Sequence, residues 1–111
     1  MPAYIVAHIQ VTKPERYREY TLRTPKVVSQ YGGRFIVRGA EIESLEGPAE
    51  TRRIVILEFP SLERARAFWN SPEYSRLRKF REGAADAQFI LADGYPDADW
   101  QRVLRESPPL D

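Results

Sequence analysis

The segment Arg53-Ile54-Val55-Ile56-Leu57-Glu58-Phe59 constrains the chain most, because it is aliphatic or β-branched on both phases of the two-residue strand period. A strand that faced a core on one side and water on the other would alternate apolar with polar residues; this one asks for cover on both sides. The other strand-like segments make the same request. Ala3–Val11 sets Ile5, Ala7, Ile9 and Val11 against Tyr4, Val6, His8 and Gln10, Arg34–Gly39 holds Phe35, Ile36 and Val37, and Ala87–Gly94 sets Phe89 and Leu91 against Gln88, Ile90 and Ala92. Past a bend at Gly39, Glu41–Glu46 is expected to prolong the second strand before Gly47-Pro48 turns the chain.

Between these strands the period changes to three and four. Thr12-Lys13-Pro14-Glu15 matches a capping box, and Tyr17, Tyr20, Thr24, Val28 and Tyr31 follow on one helical side, with Gly32-Gly33 as the exit. Pro25 lies inside that pattern and is expected to kink or divide the helix. Ser61 caps a second helix through Leu62, Ala65, Phe68 and Trp69, which Asn70-Ser71-Pro72 ends. A third starts at once, with Ser71 as cap, Pro72 as first residue and Tyr74, Leu77, Arg81 and Ala84 on one face. The order β-α-β-β-α-β, its second helix broken, predicts an α+β ferredoxin-like subunit: a four-stranded antiparallel sheet with helices on one face.

Such a sheet leaves Val6, Ile36, Ile54, Ile56 and Ile90 on the side without helices. At about 1.5–3 kcal/mol per buried side chain, five of them represent on the order of 10 kcal/mol of unused stabilisation. A second copy packed face to face would cover them, so the expected state is a homodimer with a cleft between its sheets. At 111 residues there is room for one domain, taken as residues 1–95, and a tail of 96–111, where Asp97, Trp100, Val103 and Leu104 suggest a short amphipathic helix docking on its own subunit or its partner.

Composition narrows the chemistry. Seventeen Lys and Arg against sixteen Asp and Glu give a net charge of +1, without the basic footprint that nucleic acid selects. The chain has no cysteine and one histidine, so thiolate chemistry, Cys-ligated zinc and iron–sulfur clusters, and a multi-histidine metal site are all excluded. No apolar run approaches the roughly 20 residues that span a bilayer. MPAYIVAHIQV has neither a basic leader nor a small-residue cleavage site, and a cytoplasmic address is expected.

YGGRFIVRG at Tyr31–Gly39, RRIVILEFPS at Arg52–Ser61 and FWNSPEYSRLRKFREGAAD at Phe68–Asp86 resemble, in this order and spacing, the family called domain of unknown function 1330, within the dimeric α+β barrel superfamily. The resemblance runs from about Ala3 to Gly94 and implies the ferredoxin-like fold and a dimer, but no reaction. The wider superfamily includes haem-degrading and antibiotic-biosynthesis monooxygenases, lactone isomerases and chlorite dismutase-like haem proteins, so fold alone selects no chemistry. Its haem-binding members use a helix histidine; the matching helix here offers Tyr74, Arg78 and Arg81, and no cofactor is expected.

The candidate residues follow from strand phase and from the helix break. His8 faces the side shared between copies, as a general base or as a satisfied strand histidine. Arg38 and Glu58, in phase with Ile36 and with Ile54 and Ile56, are expected there too, as an ion pair or as ligands for a polar molecule. Trp69, Asn70, Ser71 and Tyr74 flank the break as an aromatic wall or as core and cap, and Arg81 shares the Tyr74 face. The function expected is binding of a small polar or carboxylated organic molecule in a cleft near these residues. In its enzymatic, cofactor-free form His8 would move a proton, Arg38 or Arg81 hold an anionic group and Tyr74 donate a hydrogen bond. The alternative is a non-catalytic ligand sensor or interaction module whose cleft is purely structural.

Overall fold

A computed structural model describes residues 1–111. The elements run β1 (Ala3–Val11), α1 (Pro14–Gln30), β2 (Arg34–Arg38), β3 (Arg53–Phe59), α2 (Leu62–Trp69), α3 (Pro72–Arg78), a 3-10 turn (Lys79–Arg81), β4 (Ala85–Asp93) and α4 (Asp97–Glu106). The four strands form one antiparallel sheet in the order β2-β3-β1-β4, the ferredoxin-like topology expected from the sequence. None of the helices is long and apolar enough to cross a membrane.

The core lies between the sheet and α1–α3. Ala3, Ile5, Ala7 and Ile9 of β1 and Val55, Leu57 and Phe59 of β3 are buried, as are Tyr17, Tyr20 and Val28 of α1, Phe68 of α2, and Tyr74 and Leu77 of α3. Phe68 is the hub, with its ring 5.0 Å from that of Phe59 and 4.6 Å from that of Tyr74. Gly33 admits this packing, since a Cβ there would sit 2.5 Å from the Phe59 ring. Leu91, expected under the helices, is exposed because β4 is an edge strand reaching past them.

Local differences have local causes. The capping box does not form: Lys13 holds the N-cap position of α1 without a side-chain bond, and the Thr12 and Lys13 amides both donate to the Ala84 carbonyl, at 2.8 and 3.0 Å. Pro25 does not divide α1. Proline withholds the amide that the Thr21 carbonyl would accept, and Arg38 Nη2 supplies a donor there instead, at 2.9 Å. β2 ends at Arg38, and residues 41–46 form an exposed connection rather than a strand.

β2 carries a further irregularity. Arg34 pairs with Glu58 and Phe35 with Leu57, but the next pairs are Val37 with Ile56 and Arg38 with Val55. Ile36 is the extra residue of a bulge, and beyond it every side chain of β2 changes face. Arg38 therefore lies on the helix side with Val55, not on the open side where strict alternation assigns it.

Candidate functional site

Between α1 and the sheet is a small cavity of about 30 Å³ that opens to the surface, whose walls include Ile5, Tyr17, Tyr20, Phe35, Arg38 and Arg53. The elements that frame it explain this content. Tyr17 and Tyr20 stand three residues apart on the core stripe of α1, Arg53 opens β3 in phase with Val55 and Leu57, and the bulge swings Arg38 to the mouth. Arg81 approaches from the 3-10 turn and stacks on two wall residues, its guanidinium carbon 5.3 Å from the Tyr20 ring centre and 4.8 Å from that of Phe89.

A chain of polar contacts runs along one wall. Tyr20 Oη and Tyr74 Oη are 2.9 Å apart, and Arg81 Nη2 donates to Tyr74 Oη at 3.3 Å. Ser71 fixes Tyr74: its Oγ accepts from the Tyr74 amide at 3.0 Å and donates to the Phe68 carbonyl at 2.7 Å. Burial pushes the Tyr17 hydroxyl above its usual range, opposed by the charges of Arg53, Arg81 and Arg38. Burial first, and then Tyr74, drive Tyr20 well above it, so both phenols are neutral donors. Burial opposes the charge of Arg81, but the oxygens of Tyr74 and Tyr20 outweigh it and the group stays cationic.

Three guanidiniums thus surround Tyr17, and no carboxylate pairs with any of them. Arg53 Nε and Arg81 Nε are buried without a hydrogen-bond partner. Buried donors are nearly always satisfied, so an orphan on the cavity wall, Arg53, with a second behind that wall, Arg81, calls for an acceptor from outside the chain. The ordinary chemistry of such an environment is to hold an anion with an apolar body.

The open face of the sheet holds a separate cluster. His8 Nδ1 is 2.8 Å from Glu50 Oε1, and Arg52 donates to Glu50 through its amide (3.1 Å), Nε (3.1 Å) and Nη2 (3.0 Å). The bonds from Arg52, then from His8, pull the Glu50 carboxyl down to about 2. As the Glu50 carboxylate can only accept, Nδ1 of His8 carries the hydrogen. The 3.3 Å approach of Arg52 Nη2 to Nδ1 is then a contact between donors.

The residues singled out from sequence therefore divide. Arg38, Tyr74 and Arg81 come together on the helix side. His8 and Glu58 lie across the sheet from them, and Glu58 pairs with Arg34 at 3.0 Å rather than with Arg38. Trp69 packs on Tyr74 and Phe89, with ring centres 5.0 and 5.1 Å apart, and with Asn70 borders a second, shallow depression against Ile90 and Leu91. Ser71 is buried and spent on its cap. Sequence reasoning did not single out Arg53, although its phase with Val55 marked it, and assigned Tyr17 and Tyr20 only to the core stripe. Glu50 and Arg52 lie in an irregular connection that has no period to read. No group of three or more His, Cys, Asp or Glu side chains is arranged to hold a metal ion.

The family described as "Domain of unknown function (DUF1330)" matches residues 2–95. Among solved structures, a protein of unknown function from Rhodopseudomonas palustris is similar at 23% identity, with 86% of this chain and 83% of that chain covered and a TM-score of 0.66. SnoaB, a cofactor-independent oxygenase from Streptomyces nogalater, is similar at 12% identity over 86% of this chain and 94% of that chain, with a TM-score of 0.62. A protein of the ethd family from Bacillus halodurans is similar at 10% identity, with 86% of this chain and 100% of that chain covered and a TM-score of 0.54. At these identities the likeness is one of fold. No curated protein matches the sequence.

Proposed function

This chain belongs to the DUF1330 family, and we propose that it binds a small organic acid with an apolar or aromatic body in the cavity between α1 and the sheet. The observation that carries this reading is that Arg38 and Arg53, neither with a carboxylate partner, line one largely apolar cavity, with a third unpaired cation, Arg81, stacked behind its Tyr20 and Phe89 walls. The acid's carboxylate would take Arg53, Tyr17 would donate to it from the wall, Arg38 would close the mouth, and Arg81 would add positive charge from behind Tyr20 and Phe89. In an enzymatic form Tyr20, which lines the cavity and is backed by Tyr74 and Arg81, would donate a hydrogen bond to charge developing on the bound molecule, Tyr74 acting through it. SnoaB, which shares the fold, is described as a cofactor-independent oxygenase; that description belongs to SnoaB, and no reaction is carried over. His8 and Glu58, across the sheet, have no part in this site.

The second element of the proposal is a homodimer formed through the open sheet face. Val6, Ile36, Ile54, Ile56 and Ile90 lie there uncovered or half-covered, which is the surface a second copy would bury. His8, opposite Ile54, would lie in that interface.

The test is a thermal-shift panel of benzoates, phenylacetates, 3-oxo acids and lactones, each acid run beside its amide. Stabilisation by mass action reaches about 2.7 kcal/mol at a hundredfold excess over Kd. Acids should raise the melting temperature and their amides should not. Equal shifts for acid and amide, or none from any acid, would overturn the anion reading.

A further inference from the structure

Helix α4 lies outside the family match and carries an apolar stripe that its own subunit leaves half-exposed: Trp100 is 50% exposed and Leu104 53%, with Val103 beside them. A ten-residue helix is below the roughly 12–15 residues at which isolated helices become even marginal, so its stability must come from a surface it packs on. Its own body supplies only part of that surface. The chain measures 53 × 33 × 16 Å with a radius of gyration of 16.6 Å, against about 13 Å for a compact domain of this length. The junction holds the helix outward. Gly94 N donates to the Pro2 carbonyl at 2.9 Å, a Cβ at Gly94 would lie 2.3 Å from that oxygen, and Pro96 is extended.

Area supplies the occupant. Four strands about 4.8 Å apart, with roughly five to nine residues each at about 3.3 Å, give the open sheet face a footprint of order 400 Å², about half of the ~800 Å² per partner that stable interfaces bury. A ten-residue helix about 15 Å long and about 10 Å wide adds roughly 150 Å². In a two-fold pair each copy both gives and receives one, so the contribution counts twice and nearly closes the deficit.

We propose that α4 is an exchanged arm that docks on a second copy of this chain, seating Trp100, Val103 and Leu104 in the partner's shallow depression bordered by Trp69, Asn70, Ile90 and Leu91. This rests on the dimer reading above. Charge agrees with it: Arg66 on the rim of the depression and Asp97 at the start of the arm both lack an ion-pair partner. The depression also shares Ile5 and Phe89 with the acid-binding cavity, so a seated arm would thicken a wall of that site.

Two measurements test the arm. Sedimentation velocity compares the full chain with a chain ending at Tyr95. Thiol labelling of Leu104→Cys, the only thiol in an otherwise cysteine-free chain, compares the native dimer with the unfolded chain. The expected results are at least a tenfold weaker dimer on truncation and at least tenfold slower labelling in the native dimer. A full-length dimer in which truncation changes nothing and the thiol reacts at the unfolded rate overturns the arm and leaves the dimer standing. A full chain that is monomeric throughout the micromolar range overturns both readings. Slow labelling in a monomer places the helix on its own body and overturns the exchange.

Discussion

Replacing Arg53 by Met should stabilise the empty protein while impairing it as a receptor. In the unliganded chain Arg53 Nε is buried and unpaired, a condition that costs roughly 1–3 kcal/mol. The rest of the side chain is only partly buried, so the lower end, about 1 kcal/mol, is the figure to expect. Methionine keeps the unbranched stem and its packing against the cavity wall, and removal of one of three like charges also relieves repulsion around Tyr17. For a domain of this size about 1 kcal/mol corresponds to a rise of roughly 4 °C in melting temperature. Binding should move the other way. A hydrogen bond between a guanidinium and a carboxylate contributes about 1.5–3 kcal/mol, so calorimetric titration with an acid from the panel should show an affinity roughly 10–150-fold lower. The signature is the opposition of the two signs. A variant that melts lower and binds the acid as well as the parent would show that Arg53 is structural, and the cavity would lose its main anion ligand.

Ser71→Ala removes the cap of α3 and leaves the Tyr74 amide unpaired in a buried place, while the Phe68 carbonyl keeps the Ser71 amide at 3.2 Å; urea unfolding should lose about 1–2 kcal/mol, and an unchanged midpoint would contradict the capping role. Glu50 has its carboxyl at about 2 in the folded chain against an ordinary 4.5, so the stability it contributes is fully present above 4.5 and is lost as pH falls from there through 2. Acid should therefore loosen the connection that Glu50 pins to His8, seen as protease nicking between residues 40 and 52, and Glu50→Gln should abolish the pH dependence of that nicking. Deleting Ile36 should be tolerated, because the pairs of Val37 with Ile56 and Arg38 with Val55 already have the offset that the deletion leaves. Acid affinity should survive within about threefold, and its loss would show that the bulge itself shapes the mouth.

How far the sequence carried depended on whether a residue's place followed from a period. RIVILEF demanded cover on both faces, and the helices of one face and the apolar surface of the other both follow from that demand. Asn70-Ser71-Pro72 specified its helix break because a cap and a proline are local chemistry that needs no neighbour. Thr12 and Pro25 obeyed equally good local rules and were overridden. Ala84 claimed the amides ahead of α1, and Arg38 reached across from β2 to satisfy the carbonyl that Pro25 strands. Both overriding partners are more than ten residues away in sequence, beyond any local signal.

The candidate site shows why one residue of register matters more to function than to fold. Strand phase assigned Arg38 to the face of His8 and Glu58, which gathers one mixed-charge cleft between subunits, with acids at hand to neutralise the arginine. The extra residue at Ile36 leaves the sheet order and the core untouched, because β2 is an edge strand and only its last two side chains change sides. The same residue transfers one positive charge from a face that has Glu50 and Glu58 to a face that has no carboxylate near Tyr17. One cation in the cavity wall becomes two, Arg53 and Arg38, with Arg81 behind the wall, and the acids that would have paired with Arg38 are shut off behind the sheet. A carboxylate from outside the chain is then the natural counter-charge. The preference for an organic acid over a neutral molecule therefore follows from a bulge that no hydrophobic pattern encodes.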